Sequence, residues 1–492
     1  MNRLGALTCA LLLAGGALSA CGGDSDDAPT GDRTGEPFWN RATQRDTGTA
    51  GDPALEPAVS EPREDSVYPE AGDPSVDALH YDLTLDWDPD TDTLTGSEVL
   101  TFRSTATADT FQLDFSEPMT ISSLTLDGEE VEFEERGKDL VVTAGVEADQ
   151  EYELALEYDG QPGPVPVPTK RGDFSGTGFT VTDTHETWTM QEPFGAFTWY
   201  AVNDQPSDKA LYDFTLSVPT PWVGVANGAL ESRNDEGGTT TTVFSLDSPA
   251  ASYLTTVAFG DFEMTEDESE SGIPITYWVN RSESPEVLER LRTTPAAMAW
   301  LEERLGPYPF ETFGTVVVDS ESGMETQTLV TLGNTDYTTS EAVILHELAH
   351  QWYGDSVTPE DWRDVWMNEG MAMYLQGMWQ AEQDGRTVDE QMDEWAEFED
   401  DERAFAGPPA AYSREAFGSG NIYYGPALMW HELRERIGEE AFLELIRAWP
   451  EERADVSTGR DDYLPWIEEQ TGEELSSFLE AWLLGRETPP RD

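Results

Sequence analysis

Just past its midpoint the chain changes its hydrophobic period. Tyr81, Leu83, Leu85 and Trp87 alternate with Asp82, Thr84 and Asp86, and Val99, Thr101 and Arg103 follow after a Thr-Gly-Ser turn. A period of two places successive side chains on opposite faces of a sheet. Short Thr-, Val- and Phe-rich segments separated by Asp-Gly, Gly-Lys and Asn-Gly turns continue to about Phe262, the rhythm of an all-β sandwich or saddle. From Ser284 the apolar residues fall at helical spacing. Ser284 and Pro285 open a helix carrying Val287, Leu288 and Leu291, and a second helix over Pro295–Leu305 stops at Gly306-Pro307. Thr315 to Val318 reads as a strand. Thr338-Thr339-Ser340-Glu341 fits a capping box for a helix that runs through His346 and His350 to about Gly354. Another helix starts near Asn368 and ends at Asp384-Gly385, Thr387 to Glu390 fits a second capping box, and the chain is mostly helical from 420 onward. The chain is therefore read as multidomain, an antiparallel β domain followed by an α/β-to-α domain. Its 492 residues suit two or three cores, and no fixed-period repeat is present.

Composition narrows the class of partner. Acidic residues number 99 and basic residues 27, a formal charge of −72. Phosphate neutralisation needs a basic surface, so nucleic-acid binding is excluded, as is docking on anionic lipid through basic patches. Disorder is excluded for the bulk of the chain by 16 Trp, 20 Phe and 16 Tyr, since disordered acidic chains are poor in aromatics. Most of the acid falls within the periodic region. Lysine occurs only at Lys138, Lys170 and Lys209. Such a surface repels itself at low salt. It fits an exported protein adapted to salty surroundings, and equally a surface selected for solubility in a chain that prefers arginine.

The two cysteines, Cys9 and Cys21, lie in the first 21 residues, so disulfides do not hold the folded part together. Arg3, an apolar run from Leu4 to Leu18 and small residues after it form a secretory signal. Its ending, Leu18-Ser19-Ala20-Cys21, resembles a bacterial lipoprotein lipobox. That resemblance implies cleavage before Cys21, lipidation of its thiol and an extracytoplasmic protein that meets the membrane by its lipid anchor only. The apolar run is too short to span a bilayer, and no later run of about 20 apolar residues occurs. The expected organisation is a signal peptide over 1–20, the lipidated cysteine and a disordered acidic spacer over 21–65, a β domain over 66–262 and a second domain over 263–492. Phe38-Trp39 interrupts the spacer.

Five histidines occur in the whole chain, and two of them form His346-Glu347-Leu348-Ala349-His350. Positions i and i+4 share a helix face, so both imidazoles can point at one ion, and Glu347 beside the first can reach a water on that ion. Eighteen residues separate His350 from Glu369, enough for a loop to turn and a second helix to bring its carboxylate alongside. Two histidines, one carboxylate and an open fourth position are the pattern of a catalytic zinc site, with one Zn2+ per chain.

The segment from His346 through Asp355-Ser356-Val357-Thr358 to Asn368-Glu369-Gly370-Met371-Ala372 resembles the zinc motif of the aminopeptidase N family of gluzincin metallopeptidases. Ser322-Gly323-Met324-Glu325-Thr326 is similar to that family's exopeptidase motif, with Ser322 and Thr326 as departures. Tyr423-Tyr424-Gly425-Pro426-Ala427-Leu428 is similar to its tyrosine segment. Gln191-Glu192-Pro193 and Asn203 to Ala210 are similar to its β-domain signature. The resemblance covers about 66–492. It implies a thermolysin-like catalytic domain ending in helices, without the large C-terminal helical domain of some relatives. It implies a zinc aminopeptidase acting on peptides with a free N-terminus, in which Glu347 is the general base acting on metal-bound water. Glu325 would anchor the substrate amine, with Gln191, Gly323 and Met324 lining the substrate site, and Tyr423 would stabilise the oxyanion, with Tyr424 as the donor if the alignment shifts by one. Gln376 would support a metal-bound histidine from behind. A thermolysin-type endopeptidase, which lacks an amine anchor, and a catalytically silent binding lipoprotein on the same fold are the alternatives.

Overall fold

The computed structural model describes residues 53–170 and 176–491; the signal segment, Cys21 and Phe38-Trp39 lie outside the described residues. The alternating region folds as β sheet, as expected, except that Thr95-Gly96-Ser97 lies inside the strand Thr93–Ser104 and makes no turn. Its largest sheet has eight strands, running in space through Ala229–Glu236, Thr239–Ala251, Lys209–Pro219, Val76–Asp88, Thr93–Ser104, Gln150–Gly160, Met119–Leu126 and Glu129–Glu130. All neighbours are antiparallel except Val76–Asp88 beside Lys209–Pro219. In the first of these, Tyr81, Leu83, Leu85 and Trp87 are buried, while Thr84 and Asp86 face out. A second sheet built on Val223–Ala226, Val257–Gly260, Thr187–Met190, Gly176–Val181 and Val165–Pro166 covers the apolar face. Trp87 packs on Phe179 and Phe259 across the two layers.

The strand Phe262–Glu268 opens the sheet of the second domain, whose order continues through Pro274–Asn280, Phe313–Val318, Leu329–Gly333 and Gly323–Met324. The three middle strands run parallel, and Gly323–Met324 is antiparallel at the edge. Among the described residues the helices are α1 (Pro285–Leu291), α2 (Thr294–Leu305), α3 (Glu341–His350), α4 (Trp366–Asp384), α5 (Val388–Ala406), α6 (Tyr424–Ile437), α7 (Glu439–Glu452), α8 (Arg460–Thr471) and α9 (Ser476–Leu484). The capping box at Thr387 and Glu390 forms, and Gly385 ends α4 in the left-handed region at φ 66°. The box expected at Thr338 does not. Ser340 caps α3 by accepting from Val343 N, because the Thr338 hydroxyl donates instead to the Gly333 carbonyl at the end of the preceding strand.

Part of the segment that composition assigns to the spacer is structured. Pro53–Ala58 forms a 3-10 turn that buries Leu55 and Ala58 against Leu79 and Leu211. Ser60 N then donates to Asp77, Arg63 N to Ser207 Oγ, and Ser66 to Asp361. The buried Asp65 carboxylate accepts from Val67, Tyr68 and Trp362 backbone N–H groups. Residues 53–65, expected within the spacer, are thus a strap fixed to both domains. The two domains also share one apolar cluster: Trp278, Val318, Met324, Trp362 and Phe417 of the second pack into the core of the first.

Candidate active site and metal centre

α3 and α4 build the metal triad. α3 is buried along nearly its whole length, and its i, i+4 spacing puts His346 and His350 on one face. α4 begins two residues before Asn368, and its first turn carries Glu369 onto that face. The donor atoms form a near-equilateral triangle: His346 Nε2 lies 3.2 Å from Glu369 Oε2, His350 Nε2 lies 3.3 Å from the same oxygen, and the two Nε2 atoms are 3.1 Å apart. Donors about 2.0–2.1 Å from a tetrahedral zinc ion stand roughly 3.3–3.4 Å from one another. The triad therefore fits zinc in donor type, spacing and burial.

The electrostatics suit a cation as well. Burial alone pushes the Glu369 carboxyl up, but hydrogen bonds from His346 and His350 outweigh it and hold the group well below the usual carboxylate range. His350 is pushed down by burial and pulled up further by Glu325, Glu369 and Glu347, ending well above an ordinary imidazole. His350 Nδ1 meets the Tyr353 carbonyl at 3.0 Å. A carbonyl only accepts, so Nδ1 carries a proton, and Nε2 is the nitrogen turned toward Glu369 and His346, where it would ligate on giving up its own proton. Gly354 makes the turn behind it at φ 137°, and a β-carbon there would lie 3.3 Å from His350 Nδ1. Gln376 lies near enough to act electrostatically on the His346 ring, but the support expected of it does not form: among the described residues His346 Nδ1 has no hydrogen-bond partner, and Gln376 Nε2 donates to Gln380 Oε1.

Glu347 and Glu325 border the triad. Oxygens of both and a nitrogen of His350 lie within 4.8 Å of one another, all on buried residues. Glu325 follows the edge strand Gly323–Met324, whose main chain pairs with Leu332 and Thr331. Gly323 passes so close to Glu347 that a β-carbon would stand 2.9 Å from its Oε1. Met324 is buried in the interdomain cluster. Thr326 turns inward, its hydroxyl bonded to Leu329 O and 3.0 Å from Thr331 Oγ1. Tyr423 precedes α6 and donates its hydroxyl to Glu369 Oε1 at 2.9 Å, with its ring 6.1 Å from that of His346. Tyr424 points the other way, packed against Trp395 and Phe398.

Gln191 is not among the residues brought together. It is fully buried, its Nε2 donates to Ser252 O, Thr255 O and Thr255 Oγ1, and its Oε1 accepts from Trp199 Nε1. Its neighbour Glu192 instead acts electrostatically on Tyr253, in company with Glu325, Asp355 and Glu369. Sequence reading also passed over Gln351. Its Oε1 accepts from Thr328 N and Tyr308 OH while its Nε2 donates to Glu325 O at 3.3 Å, tying the end of α3 to the segment bearing Glu325. The available signal was two polar residues, Gln351 and Asp355, around an aromatic pair too apolar for an exposed turn.

Comparison with known proteins matches this arrangement. The model of the peptidase M1 N-terminal domain matches residues 77–254, and that of the peptidase family M1 domain matches 290–482. The chain is 28% identical over 318 residues to aminopeptidase N of Streptomyces lividans, covering 58% of this chain and 36% of that protein. It is 26% identical over 383 residues to glutamyl aminopeptidase of Sus scrofa, covering 67% of this chain and 39% of the relative. The chain thus spans well under half the length of these two curated relatives. A mutant M1 zinc metallopeptidase from Deinococcus radiodurans, solved with a Tyr-Ser-Ala substrate, superposes with a TM-score of 0.79 at 25% identity, covering 87% of this chain and 98% of that one. With two models of one family matched in chain order and the metal triad inside the second, the chain belongs to peptidase family M1, the zinc metallopeptidases that include aminopeptidase N.

Proposed function

We propose that the protein is a zinc-dependent aminopeptidase that releases the N-terminal residue of peptides. The observation that carries this reading is the placement of the Glu325 carboxylate beside Glu347 and His350 at the edge of the metal triad. A free α-amine is cationic near neutral pH, and a buried carboxylate one residue's reach from the metal holds it there. His346, His350 and Glu369 would hold the zinc, which supplies Lewis-acid polarisation of the scissile carbonyl. The edge strand Gly323–Met324 gives the substrate backbone a strand to lie along. Glu347 takes the proton of the attacking water and delivers it to the leaving amine. The Tyr423 hydroxyl, on Glu369 at rest, turns its proton toward the developing oxyanion.

The test is hydrolysis of matched peptides with free and acetylated N-termini, with and without chelator. Chelator-sensitive cleavage restricted to the free peptides is expected, with Glu325→Gln raising KM by about tenfold or more, the loss of a charge-assisted bond. Equal cleavage inside acetylated peptides would identify an endopeptidase, and zinc binding without hydrolysis a binding protein. Tethering through Cys21 is part of the same proposal, supported by Leu18-Ser19-Ala20-Cys21. Cys21→Ser is expected to move the protein from the membrane fraction to the soluble one. Among the described residues no helix is long and apolar enough to cross a membrane.

A further inference from the structure

One end of the large β sheet reaches into the second domain and touches both functional loops. The strands Lys209–Pro219 and Thr239–Ala251 are paired so that Lys209 lies opposite Ala251. Lys209 is buried, and its Nζ donates to two successive carbonyls, Asp355 O at 2.8 Å and Ser356 O at 3.1 Å. Just past Ala251, the Tyr253 hydroxyl donates to Gly354 O at 3.3 Å. These three carbonyls belong to the loop that leaves α3. That loop carries the Tyr353 carbonyl that accepts from His350 Nδ1, and Asp355 N closes it by donating to His350 O at 3.0 Å. The same sheet end holds the Glu325 segment: Asn227 Nδ2 donates to Gln327 O, Gly228 N to Thr328 Oγ1, and Gln327 N to Leu254 O.

The choice of residue is informative. The chain has 27 basic residues and only three are lysine. One of the three stands here, where a compact ammonium with three donors fits two adjacent carbonyls in a closed niche and a planar guanidinium does not. The niche also contains the buried Asp355 carboxylate, which has no hydrogen-bond partner on either oxygen and faces Glu325, Glu347 and His350 electrostatically. Lys209 brings positive charge to that acidic wall.

We infer that Lys209 is a positioning residue for the metal centre: from the β domain it fixes the Gly354–Ser356 loop, and through the Tyr353 carbonyl it fixes the orientation of His350. Tyr253 is its lesser partner. The inference rests on the zinc reading of the triad and concerns how a neighbouring domain holds one ligand in place. It gives the β domain a part in metal binding, although none of its residues is a ligand.

The test measures zinc affinity by competition with a chromogenic chelator, and ligand geometry by the visible spectrum of the cobalt-substituted protein, on the full chain. Lys209→Met keeps the alkyl stem and removes the donors. It is expected to weaken zinc binding by about tenfold or more, within the range for residues that support a ligand from behind, and to shift the cobalt bands. Lys138→Met is the control, since Lys138 pairs with Asp114 and Asp139 within the β domain away from the triad. It is expected to lower thermal stability and leave affinity and spectrum unchanged. Should Lys209→Met fail to fold, Tyr253→Phe removes one hydroxyl only and is expected to weaken zinc severalfold. Affinity within twofold of wild type and an unshifted spectrum in the folded Lys209→Met protein, or in Tyr253→Phe where that variant alone folds, would overturn the inference, as would equal weakening in Lys138→Met. A wild-type chain that binds no zinc would overturn the zinc reading and this inference together.

Discussion

Gly323 sits where it does because the Glu347 carboxylate needs the space a β-carbon would take, 2.9 Å away. The atom it would meet is the far end of a long side chain and not backbone, so the fold can yield while the carboxylate is displaced. Gly323→Ala is accordingly expected to cut turnover by roughly 10–100-fold, the scale of a small misplacement at a reacting group, with little change in melting temperature. Glu347→Gln is expected to keep the zinc and abolish turnover, and near-wild-type rates would refute its role as base. The two adjacent tyrosines make a sharper comparison. Tyr423 touches Glu369, and Tyr424 packs on Trp395 and Phe398. Tyr423→Phe is expected to lower kcat by about 10²–10³-fold while Tyr424→Phe stays close to wild type. At this scale the ligands were legible because an i, i+4 pair has one geometry on a helix. Gln191 was not, because sequence cannot say which way an amide turns, and in the structure Ser252, Thr255 and Trp199 take it up.

Helices were easy to read and the strap was not. α3 to α6 carry apolar residues at a sustained helical period, with Gly385 and the Thr387–Glu390 box as end signals. α3 is capped by Ser340 rather than Thr338 because the last strand residue, Gly333, competes for the threonine hydroxyl, a tertiary contact no local pattern reveals. The strap has no period and little apolar surface. Beyond Leu55 and Ala58, its hold comes from single polar contacts to residues from 17 to 297 positions away. Asp65 is the chief of these, buried and accepting from three backbone N–H groups. Asp65→Ala would leave those donors without their acceptor, at about 1–3 kcal/mol each where water cannot replace it. A loss of about 3 kcal/mol is expected in urea denaturation, and an unchanged midpoint would show that the strap contributes no stability.

The whole chain carries a charge of −72, and among the described residues most of the acids are at least partly exposed. Molar salt shortens the screening length to about 3 Å, so the melting temperature is expected to rise between low and molar NaCl. A flat response would favour the solubility reading of that charge over salt adaptation. A few acids are inside and act on pH instead. Burial pushes Asp114 up to about 7 against the pull of Lys138, and Glu399 up to about 7 against that of Arg403. Between about pH 4 and 7 such groups are protonated in the folded chain and ionised in the unfolded one. The folded state then binds more protons, and stability falls as pH rises across that window. The metal-free protein is expected to melt higher at pH 6 than at pH 8, and Asp114→Asn to flatten the slope. The strap has one more consequence, for the order of synthesis. Asp65 leaves the ribosome early, yet its partner Trp362 is 297 residues downstream. The strap's contacts to Asp77, Leu79, Ser207 and Leu211 need only the β domain, whereas its hold on Trp362 waits for the second domain, so the strap locks in two stages.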